Sequence, residues 1–583
     1  MRPESFVRVS RADELTGDGP FAVSANGHDV VLIRTRSGWR AFEGRCPHRA
    51  ALLGEGEIDG DDLVCRNHRW RFALDSGRRP DGPECLISYP AIERDESVFV
   101  DVSRRAAPAE KPRATRPLAS VPGPKGLPIL GSALQLDPAR AHLVMEDWSR
   151  RYGPTFQFHV GGRTVFATSD LSMIEEALRA RPETFRRTQR TDATFTEAGI
   201  KGVFNAEGDA WRPQRKLAVA ALAQRRLKDL YPHIRTVAGR LKRRWETAAA
   251  AGDTLDVVEE MKRFTVDVTT LIAFGLDSNT IEQPADPIQR HLELVLPTIS
   301  RRITAAFSLR RYIRLPQDRR FERALVAIRE SLETLLIETR QRLDVDPGRE
   351  ARPTNFIESM IVAVDENGGP FSDETIISNL LTMLVAGEDT TAFTLAWAIH
   401  ELCETPRWRA ELRREADDVL GPLDVAPDVE TANRLAVADA VANETMRLRP
   451  AAPINGVTAN VDMTLGGFAV PKGTTILLLM RPGAVDRARF ADPQAFRPER
   501  WLGETIGAHD VSAHAPFGSG PRMCPGRSLA LIEMRTALSM LAKSFDIERV
   551  GPAAGVREQF GFTMAPVGLR VRVSPRAPAS RAA

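Results

Sequence analysis

The sequence has few cysteines, no long apolar run and almost no net charge. Five cysteines in 583 residues are too few for a disulfide framework, so a reducing, cytoplasmic environment is expected. The absence of any run of about 18 apolar residues argues against a membrane anchor, and residues 1–10 lack the apolar core of a secretory signal. The net charge of +3 lacks the basic excess of a nucleic-acid-binding protein.

Length and apolar content instead indicate a globular chain with more than one domain. The composition is 43% apolar and 27% charged, and a single hydrophobic core rarely grows beyond roughly 250–300 residues. Short alternating segments between turn residues predict strands early in the chain: FVRVS, DVVLIRT, GWRAFE, DDLVC, RWRFALD and SVFVDV. Further on, apolar residues recur with helical spacing, as in AHLVMEDWSRRYG, DPIQRHLELVLPTI and FERALVAIRESLETLLIETRQRL.

We therefore predict a small all-β domain followed by a large, mainly α-helical domain with a minor β region. Between them, residues 103–120 are rich in proline, alanine and arginine, which is typical of a linker. The predicted organisation is a β domain at 1–102, this linker, an α-rich domain at 121–575 and a tail at 576–583. The β domain has 14 basic and 18 acidic residues, so it is mildly acidic, whereas the linker is basic.

Two loops of the β domain each carry one cysteine and one histidine. The first loop has Cys46 and His48, and the second, after sixteen intervening residues, has Cys65 and His68. A zinc finger usually pairs cysteine with cysteine and histidine with histidine. Mixed loops suit a two-iron cluster in which both cysteines bind one iron and both histidines bind the other. A zinc site, or a chance pairing of buried residues, is the alternative.

The pattern C-x-H followed by C-x-x-H resembles the Rieske ferredoxin family, as do WRFALDSGR and the sequence beyond it. The resemblance implies a [2Fe–2S] cluster with four ligands: Cys46, His48, Cys65 and His68. It also implies that a proline-containing loop at Pro80–Pro83 covers the cluster. Arg49 and Arg69 follow the histidines, and neither loop has the second cysteine of high-potential members. A low potential near about −150 mV, suited to an electron donor, is therefore expected.

A second cysteine, Cys524, lies in the string FGSGPRMCPG directly before a helical run. A thiolate at a helix N-terminus is stabilised by the helix dipole, and glycines allow a flat ligand to approach the backbone closely. The string resembles the haem-binding loop of the cytochrome P450 family, F-x-x-G-x-R-x-C-x-G. The resemblance implies that Cys524 is the thiolate ligand of haem b and that Arg522 contacts a haem propionate.

Three charged residues match the structural core of the same family. Glu444 and Arg447 lie on one face of a predicted helix, because residues three apart on a helix are neighbours. Arg500 lies in FRPERW, which resembles the second arginine segment of the family. The resemblance implies a buried ionic triad that supports the haem loop and takes no part in catalysis.

The segment LVAGEDTT at 384–391 resembles the helix that crosses the distal face of the haem. A threonine hydroxyl beside a carboxylate can relay protons in an apolar pocket, so Asp389 and Thr390 are the candidate catalytic residues. Gly387 is expected to mark a locally loosened turn of this helix. A solvated acidic patch is the alternative, which fits poorly with the apolar residues on both sides.

Further residues are expected near the haem by resemblance. Trp211 and Arg215 match W-x-x-x-R, which holds a propionate, and His514 is another candidate for that role. The segment 453–474 lacks the arginine that many members place there, and AVDRARFADP stands where H-R-D-P is common. Residues 189–204 are expected to line the substrate pocket. The remaining cysteines, Cys85 and Cys403, are expected to be ordinary thiols.

The two resemblances together imply a natural, bacterial-type fusion of a Rieske domain with a cytochrome P450. The expected activity is oxygen-dependent hydroxylation or epoxidation of a small apolar substrate, with electrons passing from the Rieske cluster to the haem. No G-x-G-x-x-G fingerprint lies between a strand and a helix, so a separate NAD(P)H-dependent flavoprotein reductase is expected. A peroxide-driven or redox-neutral haem enzyme and a redox or gas sensor are the alternatives. The acidic Rieske domain is expected to dock on a basic face that includes Arg212, Lys216 and Arg527.

Overall fold

The computed structural model describes most of the chain in two compact units. The described residues are 6–15, 17–35, 38–47, 51–66, 69–79, 84–103, 116–223, 226–283, 287–305, 315–364, 368–503 and 509–576. The units are Met1–Arg116 and Pro117–Ala583. Most of the predicted linker lies outside the described residues, as do His48, His68 and Pro80–Pro83.

The first unit is built from short strands, as predicted. Its strands are β1 (Val7–Arg11), β2 (Phe21–Ala25), β3 (His28–Thr35), β4 (Gly38–Glu43), β5 (Glu57–Asp59), β6 (Asp62–Val64), β7 (Arg71–Ala73), β8 (Ser88–Tyr89), β9 (Ala91–Arg94) and β10 (Ser97–Val100). They form three antiparallel sheets with the strand orders β1-β10-β9, β2-β3-β4-β8 and β5-β6-β7.

Strand β3 separates two apolar cores, because successive side chains of a strand point to opposite faces. Val30 and Leu32 belong to one core, and Val31 and Ile33 to the other. The second core also contains the two cysteines of the predicted cluster loops. The strand therefore places both loops against one apolar face of the unit.

The second unit is mainly helical. Its helices among the described residues are α1 (Ala141–Tyr152), α2 (Leu171–Arg179), α3 (Gln189–Glu197), α4 (Trp211–Ala221), α5 (Leu227–Ala251), α6 (Val257–Phe274), α7 (Pro287–Thr304), α8 (Pro316–Val345), α9 (Pro347–Ala351), α10 (Phe356–Val362), α11 (Asp373–Glu404), α12 (Pro406–Leu420), α13 (Val429–Asn433), α14 (Ala436–Leu448), α15 (Arg481–Ala484) and α16 (Arg527–Ser544). Helices α1, α7 and α8 contain the three stretches with predicted helical spacing. No helix in the described ranges is both long and apolar enough to span a bilayer.

Short strands form the minor β region. They are β11 (Arg116–Pro117), at the unit boundary, β12 (Thr155–Val160), β13 (Arg163–Thr168), β14 (Phe185–Arg187), β15 (Thr254–Asp256), β16 (Ile454–Ala459), β17 (Met463–Leu465), β18 (Phe468–Val470), β19 (Thr475–Leu479), β20 (Phe545–Arg549), β21 (Arg557–Phe560), β22 (Met564–Val567) and β23 (Arg570–Pro575). The largest sheet has the order β12-β13-β19-β16-β14, and β21 and β22 form a separate hairpin. Arg576, assigned to the tail, pairs with Asp417 at 2.6 Å.

Helix α11 is the central element of the second unit. It begins after Ser372, whose hydroxyl accepts a hydrogen bond from the backbone N–H of Thr375 at 3.3 Å. Most of its side chains are buried, since the helix is apolar on nearly all faces. It packs along α6 and also contacts α14 and α16. This position places its middle turns beside a cavity in the second unit.

Candidate functional site

A cavity of about 820 Å³ lies in the second unit between α11 and the loop that precedes α16. This volume falls within the usual range for small-molecule sites. Its wall includes Thr390 on α11 and Cys524 in the loop, together with many apolar side chains. The segment 189–204, expected to line a substrate pocket, contributes residues at both of its ends, including Gln189 and Phe204.

The loop before α16 turns sharply so that Cys524 faces the cavity. Gly518 and Gly520 have φ angles of 71° and 69°, which favour glycine, and a Cβ on Gly520 would lie 2.7 Å from a carbonyl oxygen of α2. The backbone N–H of Cys524 donates to the carbonyl of Phe517 at 2.9 Å. Cys524 is an exposed cysteine, and it lines the cavity. Burial raises the pKa of the thiol, while the N–H of Gly526 and the nearby Arg215 lower it.

Arg522 and Trp211 meet at one edge of the cavity. The guanidinium carbon lies 4.3 Å from the centre of the indole ring, and Nη2 donates to the carbonyl of Ala206 at 2.7 Å and pairs with Glu207. The Nε and Nη1 atoms of Arg522 are buried and have no hydrogen-bond partner. Burial lowers the pKa of Arg522 to about 10, the charge of Glu207 opposes this shift, and neighbouring arginines add to it.

Two more arginines in this wall, Arg181 and Arg187, were not predicted. The Nε and Nη2 atoms of Arg181 are buried without a partner. Arg187 stacks on the ring of Phe204, with 3.3 Å between the guanidinium carbon and the ring centre. Burial and the charges of Arg181 and Arg522 hold the pKa of Arg187 well below its usual range. Many family members have an arginine in the segment that corresponds to 453–474, and this chain lacks it. That absence was the one sequence signal that other cations must take the place of this arginine.

The cavity fits a haem. Among the arginines that line it are Arg181, Arg187, Arg215 and Arg522, and a thiol that can bind iron lines it as well. Buried cations without partners are unfavourable unless a bound anion compensates them. The two carboxylates of a haem would supply that compensation.

On the opposite wall, α11 presents the predicted relay. The hydroxyl of Thr390 donates to the carbonyl of Ala386 at 2.9 Å. Asp389 points toward α6, where the Nζ of Lys262 lies 3.2 Å from its Oδ1 and 3.1 Å from the Oε1 of Glu388. Burial lowers the pKa of Lys262, but the two carboxylates outweigh it and raise that pKa. Lys262 was not predicted because it lies on a different helix.

Helix α11 runs through Gly387 without a break, which differs from the expected local loosening. The hydroxyl of Thr390 donates to the carbonyl of Ala386 at 2.9 Å, and the hydroxyl of Thr265 on α6 donates to the carbonyl of Glu388 at 3.0 Å. Neither bond opens a turn of α11. A Cβ on Gly387 would lie 2.7 Å from the Oγ1 of Thr269 on α6. The glycine therefore allows close packing of α11 on α6.

The predicted triad is fully buried. Glu444 accepts hydrogen bonds from Arg447 at 2.7 and 2.8 Å, from the Nε of Arg500 at 3.3 Å and from the indole N–H of Trp501 at 2.9 Å. Arg447 also donates to three carbonyls, those of Ala484, Pro493 and Ala495. Burial lowers the pKa of Arg500, and Glu444 opposes this shift. The triad thus ties α14 to the chain before the haem loop.

His514 lies elsewhere than predicted. Its ring packs against Trp501, with 4.6 Å between ring centres, and it is buried. The described residues that line the cavity do not include it. Its predicted contact with a propionate is therefore not supported by its position.

In the first unit, Cys46 and Cys65 are 2% and 1% exposed in the same apolar core. The N–H of Cys46 donates to the carbonyl of Ala51, and that of Cys65 to the carbonyl of Trp70, both at 2.8 Å. These bonds close each loop around its cysteine. Two buried cysteines in one core fit one side of a [2Fe–2S] cluster, while both histidines lie outside the described residues.

The fold and the site together define a haem-thiolate protein with an attached iron–sulfur domain. Family models give the same result: the cytochrome P450 model matches residues 121–573, and the Rieske [2Fe-2S] domain model matches residues 5–90. The chain therefore belongs to the cytochrome P450 family and carries an N-terminal Rieske domain. Haem and a [2Fe–2S] cluster are the cofactors of these two domains.

Individual relatives agree with this assignment. A self-sufficient cytochrome P450 monooxygenase, CYP505E4 of Penicillium camemberti, is 27% identical over 474 residues, which cover 78% of this chain and 43% of that protein. The cytochrome P450 monooxygenase sphH of Aspergillus fumigatus is 28% identical, covering 80% and 89%. The crystal structure of the cytochrome P450DA heme domain matches with a TM-score of 0.70 at 25% identity, covering 79% and 99%. The chain thus spans less than half the length of the self-sufficient relatives that it matches.

Proposed function

We propose that this protein is an oxygen-dependent monooxygenase that hydroxylates or epoxidises a small apolar compound, with the Rieske domain as its electron donor. The observation that carries the proposal is the placement of Cys524 and Thr390 on the walls of one largely apolar cavity. The second support is the Rieske domain on the same chain. A catalyst that needed no external electrons would have no use for that domain.

The chain's own residues divide between holding the cofactor and moving protons. Haem, when bound, supplies the chemistry of oxygen activation. Cys524 would hold the iron, and Trp211 would orient Arg522 toward a propionate. The aromatic rings of Phe195, Phe204 and Phe562 contact one another, with centres 5.0–5.8 Å apart, and would exclude water from the substrate.

Proton delivery would start at the pair of Lys262 and Asp389. Their side chains are 17% and 19% exposed, so they can exchange protons with solvent. Thr390 follows Asp389 on α11 and faces the cavity, where its hydroxyl is a donor and an acceptor. A carboxylate with solvent access next to a cavity hydroxyl is the arrangement that a proton relay requires.

Electrons would come from a separate NAD(P)H-dependent flavoprotein reductase through the Rieske cluster. The linker would keep the cluster at a millimolar effective concentration, since 18 residues reach roughly 25 Å as a flexible chain and about 55 Å as extended polyproline. Of the basic residues proposed for docking, Arg212 pairs with Glu183 at 3.2 Å, so Lys216 and Arg527 would contribute more. Reversing these two charges should slow electron transfer from cluster to haem at low salt, and an unchanged rate would contradict this docking site.

The test of the proposed function begins with the haem spectrum of the full chain against a panel of fatty acids, terpenoids, aromatics and steroids. A compound that shifts the spectrum is then supplied with oxygen, NADPH and a surrogate reductase, and the product is analysed. Thr390→Ala should lower the product formed per NADPH consumed severalfold, because the relay hydroxyl is lost. Equal turnover with hydrogen peroxide alone, unaffected by Thr390→Ala, would favour a peroxide-driven enzyme.

A further inference from the structure

The hairpin of β21 and β22 inserts its turn into the wall of the cavity. The turn residues Phe560, Gly561, Phe562 and Thr563 all line the cavity. Phe562 forms part of the aromatic wall of this cavity. A Cβ on Gly561 would lie 2.6 Å from the hydroxyl of Ser300, so the turn touches α7. A small displacement of the hairpin would therefore change the shape of the cavity.

The first strand of the hairpin is held by a buried ionic cluster around Glu558. Its carboxylate accepts a hydrogen bond from the Nε2 of His142 on α1 at 2.7 Å. It also accepts bonds from the Nη1 of Arg481 at 2.9 and 3.0 Å, and it pairs with Arg449. Glu146, one turn after His142, binds the opposite edge of Arg481 at 2.9 and 3.0 Å. Both Glu558 and Arg481 have side chains less than a tenth exposed.

The second strand is also held, through contacts with α11. The indole N–H of Trp397 donates to the carbonyl of Met564 at 3.2 Å, and the N–H of Met564 donates to the carbonyl of Ala451 at 2.9 Å. Arg449 lies 4.8 Å from the centre of the Trp397 ring and 3.4 Å from Glu401. The ionic cluster thus connects the hairpin with α1, α11, α15 and the segment after α14.

Electrostatics favour an ionised Glu558. Burial raises its pKa, but the hydrogen bond from His142 and the charges of Arg481 and Arg449 outweigh burial and lower the pKa to about 2. A neutral side chain at this position would leave two guanidinium groups facing an amide. Because buried charges need their partners, the cluster would rearrange and the strand would lose its anchor.

We propose that Glu558 is a positioning residue that fixes the hairpin turn and thereby sets the shape of the cavity that an extended substrate must fit. The proposal rests on the proposed function only in taking this cavity as the substrate site. Glu558 itself does not line the cavity, so its effect on ligands passes through the hairpin.

The test compares two imidazoles that bind the haem iron of the full-length holoprotein. Imidazole occupies only the space beside the iron, whereas 1-dodecylimidazole extends to the walls. Glu558→Gln should raise the dissociation constant of 1-dodecylimidazole about tenfold, which is the scale of one lost charged hydrogen bond. The same variant should leave the dissociation constant of imidazole within about twofold of the wild-type value. Absorption titration measures both.

The matched control is Asp439→Asn, which breaks a partly buried ion pair with Arg535, 2.6 Å long, on α14 and α16. It should change neither dissociation constant. If Glu558→Gln leaves the ratio of the two constants at the wild-type value, the proposal is wrong, whether both constants stay the same or rise together. If Glu558→Gln does not incorporate haem, His142→Gln is tested in its place. We expect this variant to change the ratio of the two dissociation constants about threefold, and an unchanged ratio would refute the proposal. The thiolate-haem spectrum of the wild-type protein tests the proposed function separately.

Discussion

Replacing Arg181 with methionine should have two opposite effects. It should stabilise the haem-free protein and lower the affinity of the protein for haem. The residue is 5% exposed, and its Nε and Nη2 atoms have no partner. A buried polar group without a partner costs about 1–3 kcal/mol. Burial lowers the pKa of Arg181 for the same reason, and Glu207 opposes this shift. Methionine fills the space without that cost, so the free energy of unfolding of haem-free Arg181→Met should rise by about 1 kcal/mol.

With haem bound, Arg181 is expected to donate charge-assisted hydrogen bonds to a propionate. Such bonds are worth about 1.5–3 kcal/mol, so their loss should raise the haem dissociation constant roughly 10- to 100-fold. Urea denaturation of the haem-free protein measures the first effect. Transfer of haem to excess apomyoglobin measures the second.

The control for both measurements is Arg340→Met, which removes an exposed guanidinium paired with Asp373 at 3.0 Å. It should change the free energy of unfolding by less than about 1 kcal/mol and leave haem transfer unchanged. A less stable haem-free Arg181→Met protein would refute the assignment of an uncompensated buried charge. Wild-type haem affinity in that variant would refute the propionate contact.

Three further predictions concern the cluster, the core and pH. Cys46→Ser should abolish the electron paramagnetic resonance signal of the [2Fe–2S] cluster and leave the haem spectrum unchanged, since the two sites lie in separate units; loss of both signals would contradict it. Glu444→Gln should lower the free energy of unfolding by about 3–5 kcal/mol, because it leaves two buried arginines beside a neutral amide; a urea denaturation midpoint equal to that of the wild type would argue against it. Burial raises the pKa of Glu533 to about 8, whereas the unfolded chain loses this proton near about pH 4.3. The free energy of unfolding of the haem-free protein should therefore fall as pH rises from about 4 to 8. It should fall less in Glu533→Gln. Parallel curves of unfolding free energy against pH for the two proteins would show that Glu533 is not the cause.

Residues in contiguous motifs could be named from the sequence, because the motifs resemble those of a known family and their members are close along the chain. Cys524, Arg522 and the glycines belong to one loop, and Glu444 and Arg447 share a helix face by their spacing. The division into a β unit and an α-rich unit was predicted from periodicity, which is also a local property. Strands β2, β5, β8 and β9, of two to five residues each, were not predicted.

Residues that act through distant partners could not be predicted. His142 and Glu558 are 416 positions apart in the sequence, and Lys262 meets Asp389 only because α6 packs along α11. A single charged residue on a helix or strand is typical of a solvated face, so His142, Glu558 and Lys262 carried no signal. Tertiary packing alone distinguishes them from surface charges.

Unsatisfied polar atoms locate the haem site without any motif. Among the residues that the structure describes, only Arg181 and Arg522 have two buried side-chain nitrogens without a hydrogen-bond partner. Arg447 is at least as deeply buried, yet all three of its nitrogens are bonded to Glu444 or to carbonyl groups. We infer that this difference reflects function: Arg447 is satisfied within the fold, whereas a bound anion would satisfy Arg181 and Arg522. Both line the cavity that Cys524 faces, so the need for an anion and the means to bind iron coincide in one place.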